Sequence, residues 1–309
     1  MLSALREQAI IQSAESSNRI EGVTIEASRL RPVVLGKSRP KDRPEEELAG
    51  YRRAMNWVFT RRVNYSVTPQ SIRKLHALAQ GGASSDAGQW KQRNNEMIEI
   101  LPSGDSRVRF IPATAKEAPG LITLLCARYQ QMQDDPQVPP LLSAATFIFD
   151  FLCIHPFRDG NGRVSRLLTS LLLQSQGFEV ARYVSLERLV EENKEDYYRV
   201  LGICSQSWQQ GRNEILPWWN FFLGMVRSGY MEFERRVEQA NSKSAKSDLI
   251  RHAILEQDSG FTLADITAQI PGASAPLIRK VLQQLKREGK IRLSGHGRSA
   301  IWRPTPHIP

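Results

Sequence analysis

The sequence predicts an all-α protein that carries one small β-hairpin and ends in a separate winged helix-turn-helix domain. Three observations support this. Apolar residues recur at helical spacing through most of the first 235 residues, a Gly- and Ser-rich segment interrupts them, and positive charge is concentrated in the last fifth of the chain. The 309 residues are enough for one large core or for two domains.

The N-terminal part contains clear helix starts and stops. Pro44 precedes three glutamates, and proline in a first turn followed by acids favours a helix start. Thr68-Pro69 opens another helix, which Gly81-Gly82 ends. Residues 141–154 are apolar on nearly every side, which predicts a helix buried at the centre of a bundle.

The interrupting segment, residues 83–115, is dominated by Gly, Ser, Asp and Asn. Two short alternating stretches, 97–101 and 107–111, flank the turn residues 102–105. This pattern predicts a β-hairpin, with a plain surface loop as the alternative.

The C-terminal residues form a basic module. From Lys243 onward there are eleven Lys or Arg and five Asp or Glu, so six of the ten net positive charges lie there. We place a polar linker at 237–247 and a winged helix-turn-helix domain at 248–309.

This domain is typical of DNA-binding regulators, although winged helices also serve in protein docking and dimerisation. Ser274–Glu288 would be the recognition helix. The basic residues available for DNA are Arg279, Lys280 and Lys286 on that helix and Arg292 and Arg298 on the wing.

The composition excludes several classes of protein. No stretch approaches the roughly 20 apolar residues of a membrane helix, and no signal peptide is evident. Cys126, Cys153 and Cys204 are widely spaced without a CxxC, so neither a disulfide framework nor a zinc site is indicated. We expect a cytoplasmic protein without membrane contact.

The candidate chemistry is concentrated in the segment HPFRDGNGRVSR, residues 155–166. Pro156 ends the preceding helix, and Gly160 and Gly162 allow positive φ, so backbone N–H groups can converge at the start of the next helix. A glycine-rich turn leading into a helix N-terminus is an anion site.

The charged side chains of this segment suit a polyphosphate. Arg163 and Arg166 are three residues apart and share a helix face, so two guanidinium groups can meet one ligand. Asp159 offers the oxygen that Mg²⁺ prefers, and His155 offers a base for neutral pH. The segment matches neither a Walker loop nor a Rossmann fingerprint, so we predict phosphoryl-type chemistry of another kind.

At every specified position, residues 155–166 resemble the Fic family signature HPFx[DE]GNGRxxR. The resemblance covers about residues 1–235, which implies a Fic helical bundle with a β-hairpin flap; we set this domain at 1–236. Fic enzymes typically transfer AMP from ATP to Ser, Thr or Tyr hydroxyls of target proteins. The resemblance therefore implies a protein adenylyltransferase, a nucleotidyltransferase that uses ATP and Mg²⁺.

The resemblance also implies a role for each matched residue. His155 would take the proton from the target hydroxyl, Phe157 would anchor the loop in the core, and Asp159 would hold Mg²⁺ against the α- and β-phosphates. The nucleotide-binding residues would be Gly160, Asn161 and Gly162 around the phosphates, Arg163 at the β-phosphate, Arg166 at the γ-phosphate, and Tyr197 and Tyr198 near the adenine. Ordinary core packing is the alternative for the two tyrosines.

A second motif lies in the first helix, about residues 5–22. Ser17 and Glu21 share a face, and Gly22 ends the helix, so Glu21 lies against the dipole and needs a cation. Arg166 can supply one. The segment also resembles the Fic inhibitory motif [ST]xxxE[GN], which implies that Glu21 pairs with Arg166 and blocks productive γ-phosphate placement.

Several alternatives stay open. In some Fic proteins the same glutamate helps water to remove AMP, so a de-AMPylating hydrolase is one alternative, and a DNA-binding regulator is another. The resemblance implies that a target protein docks as a strand along the 97–111 flap. Self-modification and a homodimer are compatible with the motif, and the sequence names neither the target nor the donor nucleotide.

Overall fold

The computed structural model describes residues 2–61, 63–82, 84–100, 106–257, 259–270, 272–295 and 300–305. The chain divides into two compact units, Met1–Phe233 and Glu234–Pro309, and each has its own hydrophobic core.

The first unit is a helical bundle with one hairpin, which confirms the predicted all-α class. Its elements are α1 (Leu2–Ile20), α2 (Ala27–Val34), α3 (Arg43–Phe59), α4 (Pro69–Gln80), β1 (Met97–Ile100), β2 (Ser106–Phe110), α5 (Ala118–Asp134), α6 (Pro140–Ile154), α7 (Asn161–Ser175), α8 (Leu186–Glu192) and α9 (Lys194–Cys204). Short 3₁₀ helices occupy Val180–Arg182 and Trp208–Gln210. The helix α10 (Leu216–Leu255) begins in this unit and continues past Phe233 into the residues of the second unit.

The helix starts follow from local sequence chemistry. Asp42 caps α3 by accepting from the backbone N–H of Glu45, so the helix begins just before Pro44. Thr68 and Ser71 form a capping box at the start of α4, and Gly81 ends that helix with a positive φ of 58°.

The centre of the bundle is the pair α6 and α7. Phe147, Phe149 and Phe151 of α6 are fully buried, as the apolar run predicted. The leucines of α7 at 167, 168 and 171 to 173 are equally buried. The candidate loop connects these two helices, so its position is fixed from both sides by the core.

The predicted hairpin is present beside this centre. β1 and β2 pair antiparallel, with Ile98 opposite Val108 and Ile100 opposite Ser106. The predicted turn at 102–105 lies outside the described residues.

The second unit contains α11 (Leu263–Gln269), α12 (Ala275–Arg287), β3 (Ile291–Ser294) and β4 (Ile301–Pro304). β3 pairs antiparallel with β4, and Phe261 bridges to Trp302. The order of elements follows the predicted one. The winged-helix identity of this unit, its contact with DNA and a homodimer all stay predictions, and Arg298 lies outside the described residues.

The segment 237–247, where we predicted a linker, is helical and belongs to α10. It contains neither Gly nor Pro, so nothing in its sequence interrupts the backbone hydrogen bonds of a helix. Whether this helical segment links two domains stays a prediction.

Within the part of the chain that the structure describes, none of the helices is both long enough and apolar enough to span a membrane.

Candidate active site

The loop between α6 and α7 has a fixed backbone. His155 has a φ of 51°, in the left-handed region, and Gly160 has a φ of 77° at the N-cap of α7. Asn161 closes the loop on itself: its Oδ1 accepts from Phe157 N at 2.9 Å and its Nδ2 donates to Phe157 O at 2.8 Å. The Asn161 side chain therefore holds the loop together, and its contact with phosphates stays a prediction.

The Phe157 side chain, for which the resemblance implies an anchoring role, is fully buried in the core. Its ring stacks on His76 with centroids 3.9 Å apart and on Trp90 at 5.0 Å. His76 Nδ1 accepts from Gly88 N at 2.8 Å, so the proton sits on Nε2, which donates to Asp159 O at 3.1 Å. The His76 imidazole thus packs on the Phe157 ring and also hydrogen-bonds the main chain of the loop.

The His155 side chain lines a small cavity at the end of α6. Burial, assisted by the positive charge of Lys91, lowers the pKa of His155 to about 4. The imidazole is therefore neutral at neutral pH and able to accept a proton. Lys91 is itself buried, with its N–H donating to Pro156 O at 2.9 Å and its Nζ donating to Asn95 Oδ1 at 2.8 Å.

Arg166 contacts both Ser17 of α1 and Glu21, which directly follows α1. Its Nε donates to Ser17 Oγ at 2.8 Å, and its Nη2 donates to Ser17 O at 2.9 Å and to Glu21 Oε1 at 2.7 Å. The Arg166 side chain is 6% exposed, so these contacts replace its solvation. Burial disfavours the charged guanidinium, but the Glu21 carboxylate outweighs it and keeps the Arg166 pKa above its usual value.

Glu21 also lies against the start of α7. A Cβ atom at Gly162 would overlap the Glu21 carboxylate, so this close approach requires glycine. The carboxylate therefore occupies the helix N-terminus that we predicted to bind phosphate.

The end of α1 is fixed by further contacts. α1 ends at Ile20, and Gly22 follows in a turn with a φ of 79°. Arg19 donates to both oxygens of Glu191 on α8, at 2.7 and 3.0 Å, and Lys194 Nζ donates to Ile20 O at 3.0 Å. These contacts hold Glu21 in place from the outside.

A buried hydrogen bond joins α3 to α8 near Arg166. Tyr51 is fully buried, and its hydroxyl donates to Glu187 Oε1 at 2.9 Å. Burial and the Glu187 carboxylate raise the pKa of Tyr51, and the nearby charge of Arg166 opposes this rise.

Arg163 faces a different set of partners. Its Nη1 lies 2.8 Å from Glu47 Oε2, its Nη2 lies 3.4 Å from Gln80 Oε1, and its side chain is 3% exposed. Asp159, 56% exposed, accepts from Gly160 N at 2.6 Å and lies 3.6 Å from Arg163 Nη2. Arg163 is thus buried among Glu47, Gln80 and Asp159, and its contact with a phosphate stays a prediction.

The two tyrosines lie at the candidate site, and their contact with adenine stays a prediction. Tyr197 and Tyr198 line the same cavity as His155, Glu21 and Arg166. Tyr197 is also part of the core, 5% exposed, with its ring 5.2 Å from that of Tyr198. The cavity has a volume of about 100 Å³, which is below the roughly 300 to 1,000 Å³ of typical ligand sites.

His76, Glu47 and Lys91 contact the loop or its charged residues but were not predicted from the sequence. A usable signal exists for His76, since it lies beside Leu75 on the apolar face of α4, where a polar residue is out of pattern. Glu47 lies among the apolar residues of α3 in the same way. Lys91 lies in an irregular segment that offers no periodicity.

Comparison with known proteins identifies related sequences. The model of the Fic/DOC family matches residues 66–173. "Protein adenylyltransferase Fic" of Culex quinquefasciatus is 24% identical over 217 residues, which is 66% of this chain and 39% of the relative. The same-named protein of Nematostella vectensis is 26% identical over 230 residues, 72% of this chain and 48% of the relative. The chain thus spans less than half the length of these two relatives.

Solved structures share the fold. A Fic family protein from Desulfovibrio desulfuricans G20 superposes with a TM-score of 0.65 at 21% identity, covering 97% of this chain and 87% of that chain. Fic-1 from C. elegans gives a TM-score of 0.54 at 17% identity, covering 78% of this chain and 71% of that chain.

Proposed function

The chain belongs to the Fic/DOC family, and from this premise we propose that it is a protein adenylyltransferase restrained by Glu21. The reaction would transfer AMP from ATP to a Ser, Thr or Tyr hydroxyl of a target protein or of the chain itself. The observation that carries the proposal is the shared position of His155, Arg166 and Glu21 around one cavity at the start of α7.

The residues support a proton transfer at His155. A neutral imidazole accepts the hydroxyl proton while the hydroxyl oxygen forms a bond to the α-phosphorus. The bond from that phosphorus to the β-phosphate oxygen breaks, and pyrophosphate leaves. The N–H groups at the start of α7 and the Arg166 guanidinium offer positive charge for the phosphates.

The residues also fit Mg²⁺, which this family's chemistry implies. The Asp159 carboxylate is 56% exposed and projects from the loop. Mg²⁺ is usually held by one or two carboxylates together with substrate phosphates, and its role would be to neutralise phosphate charge. Asp159 is the residue that would hold it.

Glu21 provides the proposed restraint. Its carboxylate pairs with Arg166 and lies against Gly162, where the γ-phosphate would otherwise gain both the guanidinium and the helix N-terminus. Two anions compete for one positive site, so productive ATP binding requires Glu21 to move. The small volume of the cavity supports this.

The hairpin supports docking of the acceptor. Met97 and Phe110, at the base of β1 and β2, line the cavity that contains His155. A target segment that paired with the hairpin through main-chain hydrogen bonds would bring its hydroxyl towards this histidine.

The test is incubation with α-labelled ATP and Mg²⁺ of three proteins: the natural chain, Glu21→Gly, and Glu21→Gly with His155→Ala. Strong labelling of Glu21→Gly or of an added lysate protein is expected, with weak labelling by the natural chain and none by the double variant. Equal labelling by the natural chain and Glu21→Gly would contradict the proposed restraint by Glu21. Absence of label from all three proteins would contradict the proposed AMP transfer.

Removal of AMP is a second candidate, because Glu21 lines the same cavity as His155 and could orient a water molecule there. The natural chain would then release AMP from a labelled target, and Glu21→Gly would not. Release that survives this substitution would exclude a role for Glu21.

A further inference from the structure

Four charged side chains form a closed ring beside the candidate loop, which we call the Asp159 ring. Glu47 Oε1 accepts from Arg43 Nε at 2.8 Å, and Glu47 Oε2 pairs with Arg163 Nη1 at 2.8 Å. The Nη2 atoms of both arginines lie 3.6 Å from the same oxygen, Asp159 Oδ2. Two cations thus share one carboxylate oxygen.

The ring has a buried half and an exposed half. The side chains of Glu47 and Arg163 are each 3% exposed, whereas those of Asp159 and Arg43 are 56% and 64% exposed. A desolvated ion pair holds its geometry, because separating the two charges leaves each of them unsolvated. An exposed pair at 3.6 Å is weak and can exchange partners.

Arg43 is oriented for such an exchange. Its Nε donates to the buried Glu47 carboxylate, and this bond fixes the position of the guanidinium group. The Nη2 atom lies on the side of Asp159. A guanidinium has five donors, so one hydrogen bond to Glu47 leaves others for a ligand. Its planar fork matches phosphate oxygens.

We propose that Arg43 binds the β- and γ-phosphates of the donor nucleotide, the part that departs as pyrophosphate. The inference rests on the proposed use of ATP. If Asp159 held Mg²⁺, Arg43 would lose its weak partner at 3.6 Å, and its Nη2 would be available to a phosphate oxygen. AMP carries only the α-phosphate, which reacts beside His155, so AMP does not reach Arg43.

The test measures binding rather than transfer, in a Glu21→Gly background that leaves Arg166 free. Titration calorimetry compares the affinities of Arg43→Gln and Arg53→Gln for three ligands. These are ATP with Mg²⁺, pyrophosphate with Mg²⁺, and AMP. Arg53 is the matched control, because it lies on the same helix and forms an exposed pair with Glu46 at 3.5 Å. Arg43→Gln should weaken ATP and pyrophosphate about tenfold and AMP less than about twofold, as expected for one charged hydrogen bond.

Arg43→Lys keeps the charge without the fork and should recover part of the affinity for pyrophosphate. Equal affinities of Arg43→Gln and Arg53→Gln for ATP and pyrophosphate would overturn the inference. An equal loss of affinity of Arg43→Gln for AMP would also overturn it, because that result would show a general disturbance of the loop. Failure of transfer with normal ATP binding would count against the proposed function alone.

Discussion

Glu21, directly after α1, and Arg166 of α7 form an ion pair at 2.7 Å across 145 residues of sequence, and the arginine is the more buried partner. The pair satisfies a guanidinium that would otherwise be both desolvated and unpaired. Stability and activity should therefore change in opposite directions when it is broken.

Glu21→Gln should raise labelling by ATP and lower the free energy of unfolding. The amide keeps the size of the side chain but removes the charge, which costs about 1 to 3 kcal/mol for a buried cation left with neutral partners. Urea unfolding and α-labelled ATP on the same preparation measure both effects. Glu15→Gln is the control, since Glu15 pairs with the exposed Arg19 in the same helix. A gain of activity with unchanged stability would contradict the expectation.

The pH dependence of stability should reveal His155. Its pKa is about 4 in the folded chain, against an ordinary value of 6.5, so the unfolded chain binds the proton more readily between these values. Stability should therefore fall as the pH drops from 6.5 to 4, with a limiting slope of about 1.4 kcal/mol per pH unit for this group. Urea midpoints at four pH values measure it. His155→Ala should flatten the slope, and an unchanged slope would show that burial does not depress this pKa.

His76→Phe should reduce labelling in the Glu21→Gly background. The new ring can still stack on Phe157, but it loses the hydrogen bonds to Gly88 and Asp159, so the loop is held less firmly. A loss of about 1 to 3 kcal/mol in unfolding free energy is expected for buried main-chain groups left unpaired.

The control for that change is His252→Phe, because the His252 side chain is 74% exposed. It should leave labelling and the melting temperature close to those of the parent. If His76→Phe labels as strongly as this control, the hydrogen bonds of His76 to the loop have no effect on catalysis.

Tyr51→Phe should destabilise the chain. It removes the donor to Glu187 Oε1, whereas Ser185 Oγ still donates to Oε2 at 3.3 Å, and a buried acceptor that loses its donor costs about 1 to 3 kcal/mol. Chemical unfolding measures this effect. Tyr230→Phe serves for comparison, since Tyr230 is 40% exposed.

Local signals predicted the elements that position the site. The apolar run of α6, the caps of α3 and α4 and the glycines of the loop act within a few residues, so they can be recognised in sequence. The contact of Glu21 with Arg166 was predicted only because a motif encodes it. No motif encodes the pairing of Glu47 with Arg163, and it depends on how α3 and α7 meet in three dimensions.

Side-chain direction was harder to predict than position. Asn161 is in the predicted place, but its amide satisfies the main chain of Phe157, because a buried loop must pair its own polar groups first. The same demand explains Arg163, whose burial requires the carboxylate of Glu47.

Two contacts fix the end of α1: Arg19 with Glu191, and Lys194 with Ile20. Both lie within one chain, so Glu21 is held at the site by the chain that it restrains. A tethered carboxylate has a high effective concentration that does not change with the amount of protein. Dilution would therefore not release it, whereas high ionic strength, which screens the partly exposed Arg19–Glu191 pair, would favour release.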